Sequence, residues 1–137
     1  MSRAGDLTPA QAWELLAGDQ GAVLVDVRTE AEWTWVGLPD LADVGKRVVT
    51  VEWSSWPDGA RNERFVEQLR SAGVPPDAPV AFLCRSGQRS AAAAEAATAA
   101  GFVRAYNVAD GFEGPLDGEG HRGRAGWRAS GLPWRQS

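Results

Sequence analysis

Cysteine is the scarcest reactive residue in this chain of 137, present once as Cys84, and His, Met and Tyr also occur once each. A single Cys excludes an intramolecular disulfide. With no Cys pair, and with His121 lacking a second His or Cys partner, the spacing of a zinc site is missing as well. Stability must therefore come from packing, and a reducing cytoplasm is the expected compartment. Long apolar runs are also missing. The first twenty residues carry Arg3, Asp6, Glu14 and Asp19 where a signal peptide would have an apolar stretch, and no segment is long and apolar enough to span a bilayer. Basic charge is in short supply, with 14 Lys and Arg against 18 Asp and Glu, a formal charge of −4. That balance argues against a broad basic face for nucleic acid, so any anion binding must be local.

The length fits one domain with a core large enough to fold without staples. Thr8-Pro9-Ala10-Gln11 reads as a capping box with Pro at the first helical position, predicting a helix over about 9–17 that stops at Gly18. Ala22 to Val27 is a continuous apolar run with β-branched residues, the pattern of a strand buried on both faces. Thr29-Glu30-Ala31-Glu32 is a second capping box, and residues 34–47 are poorly patterned. Val48 to Val51 reads as a strand, Asn62 as the cap of a helix carrying Phe65, Val66 and Leu69, and Gly73 as its end. A strand at Val80 to Leu83 follows, then an alanine-rich helix capped by Ser90 and closed by Gly101, then a short strand, Ala105 to Val108. Strands alternating with helices imply an α/β fold with a parallel sheet and helices on both faces, which binds ligands beyond the carboxyl ends of its strands. The seven Trp, from Trp13 to Trp134, read mainly as core, with Trp35 and Trp56 as candidates to shape a cleft.

Cys84 stands at such a strand end, followed by Arg85-Ser86-Gly87-Gln88-Arg89-Ser90. Gly87 lets the loop curl so that backbone N–H groups converge, the helix N-terminus adds positive potential, and Arg85 and Arg89 offer planar forks to an oxyanion. Such surroundings favour thiolate and recruit an anionic substrate, making Cys84 a candidate nucleophile and Arg85, Ser86, Gly87, Gln88, Arg89 and Ser90 candidate substrate-binding residues. Loop size separates two chemistries. Cysteine-dependent phosphatases have an Arg six positions after the nucleophile; here that position is Ser90 and Arg89 comes one residue early, a ring better sized for one added sulfur than for a phosphate.

The segment Cys84 to Ser90 at a strand-to-helix junction resembles the active-site loop of the rhodanese family of sulfurtransferases. Asp26-Val27-Arg28 followed by Glu32 is similar to that family's first-strand signature, and Asn107-Val108 with Asp110-Gly111 to the turn after its last strand. Of the family's Gly-His-Ile-Pro-Gly-Ala run, Val36-Gly37-Leu38-Pro39-Asp40-Leu41 retains only Gly37 and Pro39. The resemblance implies a single rhodanese-like domain over 1–113 with a five-stranded parallel sheet. Residues 114–137 then form an irregular tail, either folded back across the loop or disordered. It also implies sulfur transfer without metal or cofactor, from a small anionic donor such as thiosulfate, through a Cys84 persulfide, to cyanide, a thiol or a protein acceptor.

Blander readings stand beside these. A lone Cys is ordinarily a small buried hydrophobe, Arg85 can equally face solvent, Asp26 and Arg28 fit a structural ion pair, and Glu95 fits a solvated helix face. Two rival functions remain: a non-catalytic or redox-sensing module acting through Cys84, and a cysteine-dependent phosphatase.

Overall fold

The structure, a computed structural model, describes residues 3–55 and 58–136. Along the chain, β1 (Gly5–Leu7) leads into α1 (Pro9–Gly18), β2 (Val23–Asp26), α2 (Glu30–Trp35) and β3 (Leu38–Pro39). A 3-10 turn (Ala42–Val44) precedes β4 (Val49–Thr50), α3 (Phe65–Ser71), β5 (Pro79–Leu83), α4 (Gln88–Ala99), β6 (Arg104–Val108) and β7 (Trp134–Arg135). Five strands form one sheet in the order β1-β6-β5-β2-β4, every pair parallel, and β3 pairs with β7 in a separate antiparallel ribbon.

The continuous apolar runs become the sheet's centre because both of its faces are covered. All five residues of β5 are buried, and alternation along the strands sorts their side chains. Val25, Val27, Val80, Phe82 and Cys84 pack under α3 and α4 against Phe65, Leu69, Ala93, Ala94 and Ala97. Leu24, Ala81 and Leu83 face the other way, against Ala12 and Leu16 of α1 and against Phe112 and Trp127. Each large side chain fully buried this way contributes roughly 1.5–3 kcal/mol. Alanines on the inner face of α4 let it lie close to β5 and β6, which fixes where its N-terminus meets the end of β5.

Both expected capping boxes form. Thr8 with Gln11 starts α1, and Thr29 with Glu32 starts α2. Three expectations need correction. Ser90 does not cap α4: the N-cap is Gly87, and Ser90 lies in the first turn with its hydroxyl turned into the core. Asn62 does not cap α3, which begins at Phe65; its Oδ1 accepts from the Arg64 N–H at 3.0 Å and closes the preceding turn. The strand expected over 48–51 is confined to Val49–Thr50. Among the described residues no helix is long and apolar enough to cross a membrane. Trp56 lies outside the described residues.

Candidate active site

Cys84 follows β5, the middle strand of the sheet, so the sheet itself delivers the thiol to the strand ends where α4 begins. The residue is 1% exposed. Its Sγ accepts from the Gly87 N–H at 3.1 Å and lies 3.2 Å from Ser90 Oγ. Ser90 Oγ lies 2.6 Å from Asn107 Oδ1 on β6, and Asn107 stands opposite Asp6 of β1 in the sheet register. Asp6 is held below the ordinary carboxylate value chiefly by its hydrogen bond to Arg3, with Asn107 adding to the effect.

The loop keeps its shape because its carbonyls are gripped from behind. Phe112 N–H donates to Cys84 O at 2.8 Å, and Glu113 N–H to Arg85 O at 3.0 Å. Gly87 has φ 110°, and a Cβ there would overlap the Ala109 carbonyl oxygen. With its carbonyls so occupied, the loop turns the Gly87 amide hydrogen toward the sulfur, in the manner of an anion nest at a helix N-terminus.

Above the loop lies a cleft of about 540 Å³, lined on one side by Ala31 and Val36 and elsewhere by Glu32, Arg85, Arg89 and Glu113. Both arginines reach it, but neither is free. Arg89 makes a two-pronged pair with Glu32, Nη1 to Oε1 at 2.7 Å and Nη2 to Oε2 at 3.0 Å. Arg85 pairs with Glu113 at 3.3 Å and is half exposed. Burial pushes the Glu32 carboxyl up, but the hydrogen bonds and charge of Arg89 more than offset this and hold it below its ordinary value. The guanidinium of Arg89 is correspondingly raised against the cost of its burial by Glu32, with Cys84 and Asp26 contributing. The open electropositive cradle expected from two loop arginines is thus a set of closed ion pairs. The physical reason is that half-buried guanidinium groups require partners.

The other loop residues divide. Gln88 is exposed, Ser86 half-buried, and Gly87 and Ser90 buried beneath the loop against the sulfur. Glu32, Glu113 and Asn107 were not recognised as part of this constellation from sequence. Glu32 carried only its capping and first-strand signals, Asn107 only its place in the last turn, and Glu113 carried none.

Asp26 and Arg28 form the expected ion pair, both 0% exposed, with Arg28 Nη2 2.7 Å from Asp26 Oδ2 and 2.7 Å from Gly37 O. The Arg28 guanidinium lies 4.3 Å from the Phe112 ring centroid, beside the backbone that grips Cys84. Its role is to hold the end of β2, the Gly37 segment and the Phe112 turn together. Trp35, expected as a candidate to shape the cleft, is 77% exposed and does not line it.

Over residues 5–137 the chain matches the family described as STR4 middle domain. The chain belongs to this family. A relative from Rickettsia conorii, itself uncharacterized, is 35% identical over 130 residues, covering 95% of this chain and 96% of that one. The protein THYLAKOID RHODANESE-LIKE, chloroplastic, of Oryza sativa subsp. indica is 31% identical over 95% of this chain, which spans 25% of that protein's length. Among solved structures, the crystal structure of Rv0390 from M. tuberculosis shares 61% identity at a TM-score of 0.92, covering 99% of this chain and all of that one. The polysulfide-sulfur transferase homodimer from Wolinella succinogenes shares 25% identity at a TM-score of 0.62, covering 96% of this chain and 78% of that one. The chain is a rhodanese-like domain of the STR4 middle type, with the α/β five-stranded parallel sheet expected of it.

Proposed function

We propose that this domain is a sulfurtransferase that carries sulfane sulfur as a persulfide on Cys84. The observation that supports this most directly is the Sγ itself, held at the end of the central strand with the Gly87 N–H and the Ser90 hydroxyl within hydrogen-bond distance. Both groups can stabilise negative sulfur, whether thiolate or bound persulfide. The Wolinella neighbour, named for polysulfide-sulfur transfer, points the same way.

In the loading step the Cys84 thiolate attacks the outer sulfur of a donor. A new S–S bond forms, the donor's S–S bond breaks, and the leaving group departs with that electron pair; from thiosulfate it is sulfite. An acceptor nucleophile, namely cyanide, a thiol or a protein, then takes the outer sulfur and returns Cys84 as thiolate. No second Cys exists to resolve the persulfide within the chain, so an external acceptor is required. Because Cys84 is 1% exposed, the donor presents its terminal sulfur to the thiol while its body rests in the cleft beside Arg85 and Arg89. The chemistry needs neither metal nor organic cofactor, and the lone thiol is best kept reduced in the cytoplasm.

The test is intact-mass spectrometry after incubation with thiosulfate and, separately, with polysulfide. The expected result is a gain of one sulfur in the native protein, none in Cys84→Ala, and loss of the gain on adding cyanide or a small thiol. No gain from any donor would overturn the reading. Partner capture without turnover would instead favour a binding module.

A further inference from the structure

The cleft above Cys84 has the charge pattern of a site for a zwitterion. Its lining guanidinium groups, Arg85 and Arg89, are matched one for one by lining carboxylates, Glu113 and Glu32. Glu32 is not a carboxylate that can swing away. Its Oε1 accepts from the Thr29 N–H at 3.1 Å and lies 3.2 Å from Thr29 Oγ1, while both oxygens hold the Arg89 fork. Glu113 is held similarly, by Arg85 at 3.3 Å and, on its other oxygen, by Arg128 at 3.8 Å. Arg128 in turn lies over the Phe112 and Trp134 rings. Deeper still, Asp26 cancels Arg28.

A bare dianion entering this cleft can share an arginine only by sitting close to the Glu32 or Glu113 carboxylate that is already paired there. A molecule bearing one ammonium and one carboxylate extends the alternating array instead, the ammonium sharing Glu32 or Glu113 and the carboxylate sharing an arginine. Size argues in the same direction. The cleft of about 540 Å³ falls within the range of organic ligand sites and exceeds what a small sulfur oxyanion fills, and Ala31 and Val36 offer it an apolar wall.

Building on the sulfur-transfer reading above, we propose that the donor is a hydropersulfide carried on an amino-acid-like thiol, and that Glu32 is the residue that discriminates against bare sulfur oxyanions. The loading step balances simply. Cys84 thiolate attacks the terminal sulfur of R–S–SH, the donor S–S bond breaks, R–S⁻ leaves with its electron pair, and the proton stays on the new Cys84–S–SH.

The experiment follows the rate of sulfur addition to Cys84 by intact mass at low ionic strength with three donors: cysteine hydropersulfide, the hydropersulfide of 3-mercaptopropionate, which lacks only the ammonium, and thiosulfate. The native protein is expected to load from the cysteine compound about fivefold or more faster than from its ammonium-free analogue. In Glu32→Gln that preference is expected to shrink, while loading from thiosulfate rises about five- to tenfold as Arg89 is released. Gln at this position keeps the capping box, so the variant tests charge rather than folding. The two hydropersulfides can also be compared in the native protein alone. Equal native rates, or no gain with thiosulfate in Glu32→Gln, would overturn the specificity proposal while leaving sulfur transfer standing. No loading from any of the three donors would overturn both.

Discussion

Ser90 Oγ lies between two acceptors, 2.6 Å from Asn107 Oδ1 and 3.2 Å from Cys84 Sγ, and it has one hydrogen to give. While Cys84 is a thiol, the shorter contact takes that hydrogen and the S–H donates to the Ser90 oxygen. When Cys84 becomes thiolate, the charged sulfur draws the hydroxyl toward itself and leaves Asn107 Oδ1 without this donor. Asn107 therefore competes with the sulfur for Ser90. Two substitutions that break the same Ser90–Asn107 bond should act in opposite directions. Ser90→Ala removes the donor and is expected to slow persulfide formation, followed by intact mass, about tenfold. Asn107→Leu frees the hydroxyl and is expected to speed persulfide formation. Shifts of the same sign in both variants would show that the contact is structural only.

Gly87 and Gly111 set the loop from either side. Gly87 has φ 110° and its missing Cβ leaves room for the Ala109 carbonyl; Gly111 has φ 67° and a Cβ on it would lie 2.6 Å from the Cys84 and Arg85 carbonyl oxygens. Both obstacles are backbone, which cannot step aside as a flexible side chain could. Gly87→Ala and Gly111→Ala are each expected to cost about 2–4 kcal/mol by urea unfolding, from strain at positive φ plus overlap. Loading of Cys84 should fall with them, since Gly87 supplies the N–H that faces the sulfur and Gly111 packs on the Cys84 and Arg85 carbonyls that anchor the loop. Full stability in either variant would mean that the loop is not held as described.

The path from sequence to this site was legible where the signals are local. The Val80 to Leu83 run, Cys84, Gly87 and the alanine stretch each carry their own pattern, and together they place a thiol between a buried strand and a helix. The resemblance supplied the number of strands. What stayed hidden is non-local. β1 is three residues long with one exposed, too short for periodicity, and becomes a strand only because β6 offers it an edge. Leu38–Pro39 pairs with Trp134–Arg135 from the far end of the chain. Glu32 and Arg89 stand 57 residues apart, so the capping signal of one and the loop signal of the other gave no hint of their pairing. Ser90 illustrates the converse: a hydroxyl near a helix start reads as a cap, yet Gly87 had already turned the chain, freeing Ser90 to face the sulfur.

The Glu32 carboxyl gives the domain a dependence on acid. Burial opposes its ionised form, but the Arg89 pairing prevails, so it holds its charge in the folded state to lower pH than its ordinary value of 4.5. Below that value the unfolded chain takes up a proton more readily than the folded one. The stabilisation is thus fully present above about pH 5 and is lost as pH falls through the lowered folded value. Glu32→Gln cannot titrate, so its Tm should fall less than that of the native protein between about pH 5 and pH 3. Asp6, also lowered, through Arg3, contributes equally to both proteins and cancels in the comparison. Parallel Tm curves would show that the ion pair does not persist in solution.

Trp127 ties the end of the chain to the loop. It is fully buried, packs edge-on against Trp13 with ring centroids 5.9 Å apart, and donates its indole N–H to Pro133 O at 2.7 Å. Its backbone N–H donates at 2.8 Å to the carbonyl of Gly111, the residue packed against the Cys84 carbonyl. Trp127→Ala should leave a large cavity and cost about 3–5 kcal/mol in urea unfolding, whereas Trp127→Phe, which keeps most of the bulk but loses the indole bond, should cost less. Ending the chain after residue 113 removes the indole, its partner carbonyl and β7 together, and should destabilise at least as much as Trp127→Ala. Because the Gly111 turn also supports the neighbouring residues that grip the loop, sulfur loading on Cys84 should slow in the shortened protein even where it remains folded. A shortened chain with native stability and native loading would show that the sheet and its loop stand without this segment.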